Sequence, residues 1–145
     1  MFHLLRRFVQ SLSGRFPDES EASVLLEIMS EQEFTLWRTM PASDQRHSLK
    51  VVGRFLHRLP EATTAEIIGV ALHDVGKVAS NLGTLGRVAA TVFGRHGSRF
   101  AIYHDHESIG VTMLRDAGCS RDVQAILDGS ARQSALAAFR WADNC

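Results

Sequence analysis

Apolar residues recur at helical spacing along most of the chain. After Pro17-Asp18-Glu19-Ser20, which breaks the preceding pattern and caps the next helix, Val24, Leu25, Ile28 and Met29 continue at core spacing. Ser30-Glu31-Gln32-Glu33 has the form of a capping box leading into Phe34, Leu36 and Trp37. Pro41 with Ser43 and Asp44 starts another helix, where Leu49, Val52, Phe55 and Leu56 share a face and His47 lies near the entrance. Further helices are predicted from about Thr64 to His73, Glu107 to Ala117, Arg121 to Leu127 and Ala131 to Ala142; a short helix from about Thr84 to Phe93 belongs only to the alternative in which that segment is a solvated surface loop. Few stretches alternate with period two, so the pattern predicts an all-α fold, a compact helical bundle.

The N-terminal stripe Phe2, Leu5, Val9 and Leu12, widened by Leu4 and Phe8, is expected to pack on the domain or on a second subunit, which leaves a homo-oligomer open. A membrane-surface role is the minor alternative. Residues 1–40 then form N-terminal helices packed on a core of residues 41–145, one globular unit overall. With 145 residues, 45% of them hydrophobic and 22% charged, the chain is long enough for one core. Sixteen basic residues balance sixteen acidic ones, so no overall field draws the protein to nucleic acid or an anionic membrane. Small anionic substrates need only a local basic patch. Two cysteines, Cys119 and Cys145, make no disulfide framework. No apolar run approaches the ~20 residues of a membrane span, and the N-terminal apolar core is too short for a signal peptide. A cytoplasmic location is expected.

Against this background one stretch carries chemistry: Ala71-Leu72-His73-Asp74-Val75-Gly76-Lys77, an adjacent His-Asp pair ending the apolar run from Ile67 to Leu72. Burying an unpaired imidazole and carboxylate costs several kcal/mol, roughly, unless hydrogen bonds or a cation compensate them. The competing explanation is a solvated helix-end Asp74 beside a satisfied core histidine. A catalytic metal needs three or four protein ligands and an open position, and other segments offer them: His47, His106 after Tyr103-His104-Asp105, and Asp143 in Trp141-Ala142-Asp143. Lys77 lies four residues from His73 and three from Asp74, so continued helical geometry would hang its ammonium near the pair, for a substrate phosphate or for Asp74. Gly76 permits a tight departure from the helix. The glycine-interleaved cations Arg95, His96 and Arg99 fill the segment between the pair and His106 and are expected to supply at least one substrate phosphate contact. His104 is expected to be an exposed loop residue. Neither cysteine has a base beside it, and Gly83-Thr84-Leu85-Gly86 lacks the Lys-Ser/Thr of a phosphate-binding loop.

The ordered set of a first histidine, an adjacent His-Asp and a distal aspartate, with its flanks His47-Ser48-Leu49-Lys50-Val51, Leu72-His73-Asp74-Val75-Gly76-Lys77, His106-Glu107-Ser108-Ile109-Gly110 and Trp141-Ala142-Asp143, resembles the HD superfamily of metal-dependent phosphohydrolases from about Arg46 to Asn144. The resemblance implies an HD-type helical bundle with His47, His73, Asp74 and Asp143 as metal ligands. It also implies a metal-activated water as nucleophile, and a nucleotide or other small phosphoester as substrate, cleaved as a mono- or diester. His73, Asp74, Lys77 and His106 would then serve catalysis, and Lys77, Arg95, His96 and Arg99 substrate binding. Family members with two metals carry a further histidine shortly after the place of His106. This chain has Asp128-Gly129-Ser130 in that region and no histidine beyond His106. One divalent ion is therefore expected, a second being less so, and the mixed nitrogen and oxygen donors do not select among Mn, Fe, Co, Ni, Zn and Mg. The same departure motivates the alternative of a non-catalytic HD-type domain that binds a ligand or partner.

Overall fold

The computed structural model describes residues 15–80 and 106–145, together with the bounds of the helices these contain. The order is α1 (Ser23–Ile28), α2 (Glu31–Arg38), α3 (Ala42–Arg58), α4 (Thr64–Ala71), α5 (Lys77–Ser80), α6 (His106–Asp116), α7 (Arg121–Asp128) and α8 (Gln133–Asn144). Every regular element among the described residues is helical, as the hydrophobic pattern predicts. The stripe at residues 2–12, the helix over 84–93, His104, and Arg95, His96 and Arg99 lie outside the described residues.

Local chemistry sets the helix starts. Ser30 and Glu33 form the expected capping box on α2, the Ser30 hydroxyl accepting from the Glu33 amide at 3.1 Å and the Glu33 carboxylate from the Ser30 amide at 2.8 Å. A second box, Thr63 with Glu66, opens α4. Helix α6 stops in a Schellman turn: Gly118 takes φ +82°, its amide donates to the Arg115 carbonyl, and the Cys119 amide reaches Leu114.

The core is built from Leu25, Trp37, Met40, Val51, Phe55, Val70, Leu72, Val75 and Leu114, all essentially inaccessible. Helix α3 packs against α4 and α8, and α7 against α4 and α6. Helices α4 and α7 approach each other closely. A Cβ added to Gly69 would lie 2.6 Å from the Val123 carbonyl oxygen, so only glycine lets the two backbones meet there. In α1 the expected stripe holds at Leu25, which is buried, and at Ile28 and Met29, which pack partly buried on the core, but Val24 is corrected to an exposed position. A six-residue helix spans under two turns and buries one residue, Leu25, completely.

Most buried polar groups of this layer are served internally, the Gln45 side-chain oxygen being without a partner among the described residues. The Trp37 indole donates to the Ser48 hydroxyl at 2.7 Å, and the Gln45 amide donates to the carbonyls of Arg38 and Met40. Glu66, buried in α4, accepts two bonds from Arg132 at the start of α8, 2.7 and 3.0 Å long. That fork links the N-terminal ends of two helices whose other ends lead to the site.

Candidate metal centre

Helix α4 ends at Ala71, two residues before the extent predicted from the sequence. Residues 72–76 form a buried turn, and α5 starts at Lys77. The His-Asp pair therefore sits on a turn. The apolar residues continue through Leu72 because both the helix end and the turn are in the core, so the pattern carries no mark of the change.

Four side chains from three segments meet here. His47 comes from the second turn of α3, His73 and Asp74 from the buried turn, and Asp143 from the last turn of α8. One ligating atom each from His47, His73 and Asp74 lies within 4.8 Å of the others, a group that could hold a metal ion. Asp143 closes the set: its Oδ1 is 3.1 Å from His47 Nε2 and 3.3 Å from His73 Nε2. Asp74 Oδ2 is also 3.3 Å from His73 Nε2, and Asp74 Oδ1 is 3.1 Å from the Lys77 ammonium. Lys77 thus comes to Asp74, as three-residue spacing anticipates, although a turn and not a continued helix delivers it.

The His73 ring is fixed on two sides. Its Nδ1 is 2.6 Å from the Val70 carbonyl, which can only accept, so Nδ1 carries a hydrogen. The Phe139 ring packs edge-on at 5.0 Å between centroids, with His47 on another side at 5.9 Å. Nε2 is left facing two carboxylates and, though buried, makes no hydrogen bond among the described residues. Both oxygens sit at charge-contact distance without the alignment a hydrogen bond requires. A buried nitrogen lone pair aimed between carboxylates is repelled by them unless a positive charge lies among them.

The electrostatics express the same demand. Burial works against charge on His73, but the carboxylates of Asp143 and Asp74 overcome it and lift the imidazole to about 10. Burial also opposes ionisation of Asp74, yet His73 and Lys77 hold its carboxyl far below the ordinary range. His47 and His73 do the same to Asp143 against a smaller burial penalty. With no metal, a proton on His73 supplies the missing charge. A divalent cation supplies it more fully, and the donors, two imidazoles and two carboxylates, are those that transition metals accept. The residues present therefore fit a metal.

Exposure rises across the centre from 6% and 7% for the side chains of His73 and Asp74 to 30% for Lys77 and 37% for Asp143. The site thus has a buried floor and an open side, and a ligand would approach past Lys77 and Asp143. His106 opens α6. Phe139 is a site residue that motif reasoning misses, although it stands four residues before Asp143 on the same face of α8; that spacing is the available signal. The Val70 carbonyl has no signal, since its role depends on where α4 ends. Cys119 is buried, and burial together with Glu33 pushes its thiol up to about 11, which removes it as a nucleophile.

Comparison with protein-family models, curated proteins and solved structures finds no match to this chain. Function is therefore argued from the geometry above. No helix among the described residues is long and apolar enough to cross a membrane.

Proposed function

We propose that the protein is a metal-dependent phosphohydrolase of the HD type, acting on a nucleotide or other small phosphoester. One observation carries the proposal: the buried Nε2 of His73, without a hydrogen bond, faces carboxylates from two separate segments while His47 completes the ring around it. His47, His73, Asp74 and Asp143 would hold one divalent cation. When bound, such an ion acidifies water and neutralises charge on a phosphoryl oxygen.

The chain's own groups do the rest. The Val70 carbonyl holds the hydrogen on Nδ1 and leaves Nε2 as the ligating atom, the usual division of labour in a metal-bound histidine. Asp74 is shared, one oxygen toward His73 and the other toward Lys77. Two carboxylates offset the charge of one divalent cation, and the Lys77 ammonium makes the assembly net positive. An anion such as a phosphoester is thereby favoured at the open side. The absence of any histidine beyond His106 agrees with a single ion.

The test is metal content of wild type and Asp74→Ala after loading with Mn, Fe, Co, Ni or Zn and desalting, followed by hydrolysis assays on a panel of nucleotides and small phosphoesters. The expected result is one ion per chain, lost in the variant, with hydrolysis that depends on it. Unchanged hydrolysis in a folded Asp74→Ala protein would sink the assignment. Metal retention with no hydrolysis of any phosphoester would leave a ligand-binding domain instead.

A further inference from the structure

Asp143 is an unusual place for a metal ligand. It lies in the last turn of α8, where the final carbonyls have no intrahelical partners and a helix opens most cheaply. A carboxylate on such a turn cannot hold a fixed position by helix geometry alone.

One stripe of α3 supplies the missing restraint. His47, Val51, Arg54 and Arg58 stand at i, i+4, i+7 and i+11, on a single face of the helix. Val51 is fully buried. His47 meets the Asp143 carboxylate at 3.1 Å. Arg54 Nη1 donates to backbone oxygens on both sides of that residue, 3.4 Å to Ala142 and 3.1 Å to Cys145. The Arg58 guanidinium stacks 4.8 Å over the ring of Trp141. Residues 141, 142, 143 and 145 are thus gripped by a stripe that begins with a proposed ligand. Guanidinium groups at this end are also favoured by the helix dipole.

We propose that Arg54, supported by Arg58, is a positioning residue for the metal centre: it fixes the last turn of α8 by its backbone oxygens, so that Asp143 is presented to His47 and His73. The proposal rests on the metal-site reading above. Arg54 makes its hydrogen bonds to the backbone of α8 and not to the donors, and acts through that backbone.

Cobalt(II) titration of the full chain tests it, with affinity and the visible d–d spectrum as readouts and thermal unfolding of the metal-free protein alongside. The set is wild type, Arg54→Met, Arg54→Lys, Asp143→Asn and, as a stability control in a helix that supplies no donor, Leu25→Val in α1. Arg54→Met is expected to bind cobalt about 10- to 100-fold more weakly, the usual cost of losing a group that orients a ligand, with a spectrum shifted toward that of Asp143→Asn. Arg54→Lys, which still donates to backbone oxygens, should recover most of the affinity. Leu25→Val should lower the unfolding temperature and leave cobalt binding alone. Wild-type affinity and spectrum in Arg54→Met overturn the proposal, as does a loss that Arg54→Lys fails to restore and Leu25→Val reproduces. If wild type itself binds no cobalt while folded, the metal-site reading fails first and the positioning role with it.

Discussion

Adding one methyl group at Gly69 and one at Gly53 should move stability in opposite directions. Both glycines lie inside helices, where replacing glycine by alanine gains about 0.5–1 kcal/mol through lost freedom of the unfolded chain. At Gly53, in the exposed face of α3, a Cβ meets nothing within 4 Å, so Gly53→Ala should realise that gain. At Gly69 the added Cβ would lie 2.6 Å from the Val123 carbonyl oxygen and 2.9 and 3.0 Å from Ile126 Cγ1 and Cβ. A backbone oxygen cannot turn aside as a flexible side chain does, so α4 and α7 must separate. Overpacking against backbone sits in the upper part of the usual range of about 1–3 kcal/mol, at about 2–3 kcal/mol, so even a gain of about 1 kcal/mol leaves a net loss of about 1–2 kcal/mol. At about 2–4 °C per kcal/mol for a chain near this size, the unfolding midpoint should fall by about 2–8 °C in Gly69→Ala and rise by about 1–4 °C in Gly53→Ala. Thermal unfolding of the metal-free proteins by circular dichroism at one pH measures both. Because His73 lies two residues beyond the end of α4, Gly69→Ala should also weaken metal binding while Gly53→Ala leaves it intact. A Gly69→Ala protein as stable as wild type would refute the close α4–α7 approach and the reasoning built on it.

Metal loading, truncation, acid and a core substitution give further expected outcomes. Loading with a divalent metal to about 100 times its dissociation constant should stabilise the fold by about 2.7 kcal/mol, a rise of several degrees that chelator reverses and that Asp74→Asn does not show. Deleting Asp143 to Cys145 should weaken metal binding, measured by the same titration; retained affinity would remove Asp143 from the ligand set. Arg132 holds the Glu66 carboxyl below its ordinary pKa, with burial opposing and Thr63 assisting. That contribution is complete above the unfolded value of about 4.3 and fades as pH falls through the folded value. Glu66→Gln should therefore be less stable than wild type at neutral pH, with a gap that narrows on acidification below pH ~4 in a series of melts; a gap independent of pH would show that the charge is idle. Trp37→Phe should lose about 1–3 kcal/mol by denaturant unfolding, because it strips the buried Ser48 hydroxyl of its indole donor.

The helices are legible where their signals are local. The Ser30–Glu33 box, the Leu49–Val52–Phe55–Leu56 face of α3 and the helical period of α7 and α8 are all read from residues within a turn or two of one another, and α8, Gln133–Asn144, is shifted two residues past its predicted bounds, which takes in Asp143. The turn at residues 72–76 is hidden because burial on all sides makes helix and turn equally apolar. Val24 is misplaced by its spacing because a short helix has too few turns for its period to select a face. The meeting of His47, the pair and Asp143 is anticipated by motif order, whereas the groups that hold them in place are not. The Val70 carbonyl, the Glu66–Arg132 fork and the Arg54 grip on α8 join residues far apart in sequence or use backbone atoms, and neither leaves a trace in side-chain spacing.

His47 and Asp143 stand 96 positions apart, and both cysteines of this chain are free. A cation shared between them would fasten α3 to the far end of α8 and close a loop spanning most of the molecule. For a covalent bridge, closing a loop of about 100 residues removes unfolded-chain entropy worth up to about 4.7 kcal/mol. An ion makes such a fastening without oxidant and releases it to acid or chelator. This long-range tie, spanning most of the described chain, would then be tunable by metal supply, and the chain's susceptibility to proteolysis would track the availability of the metal.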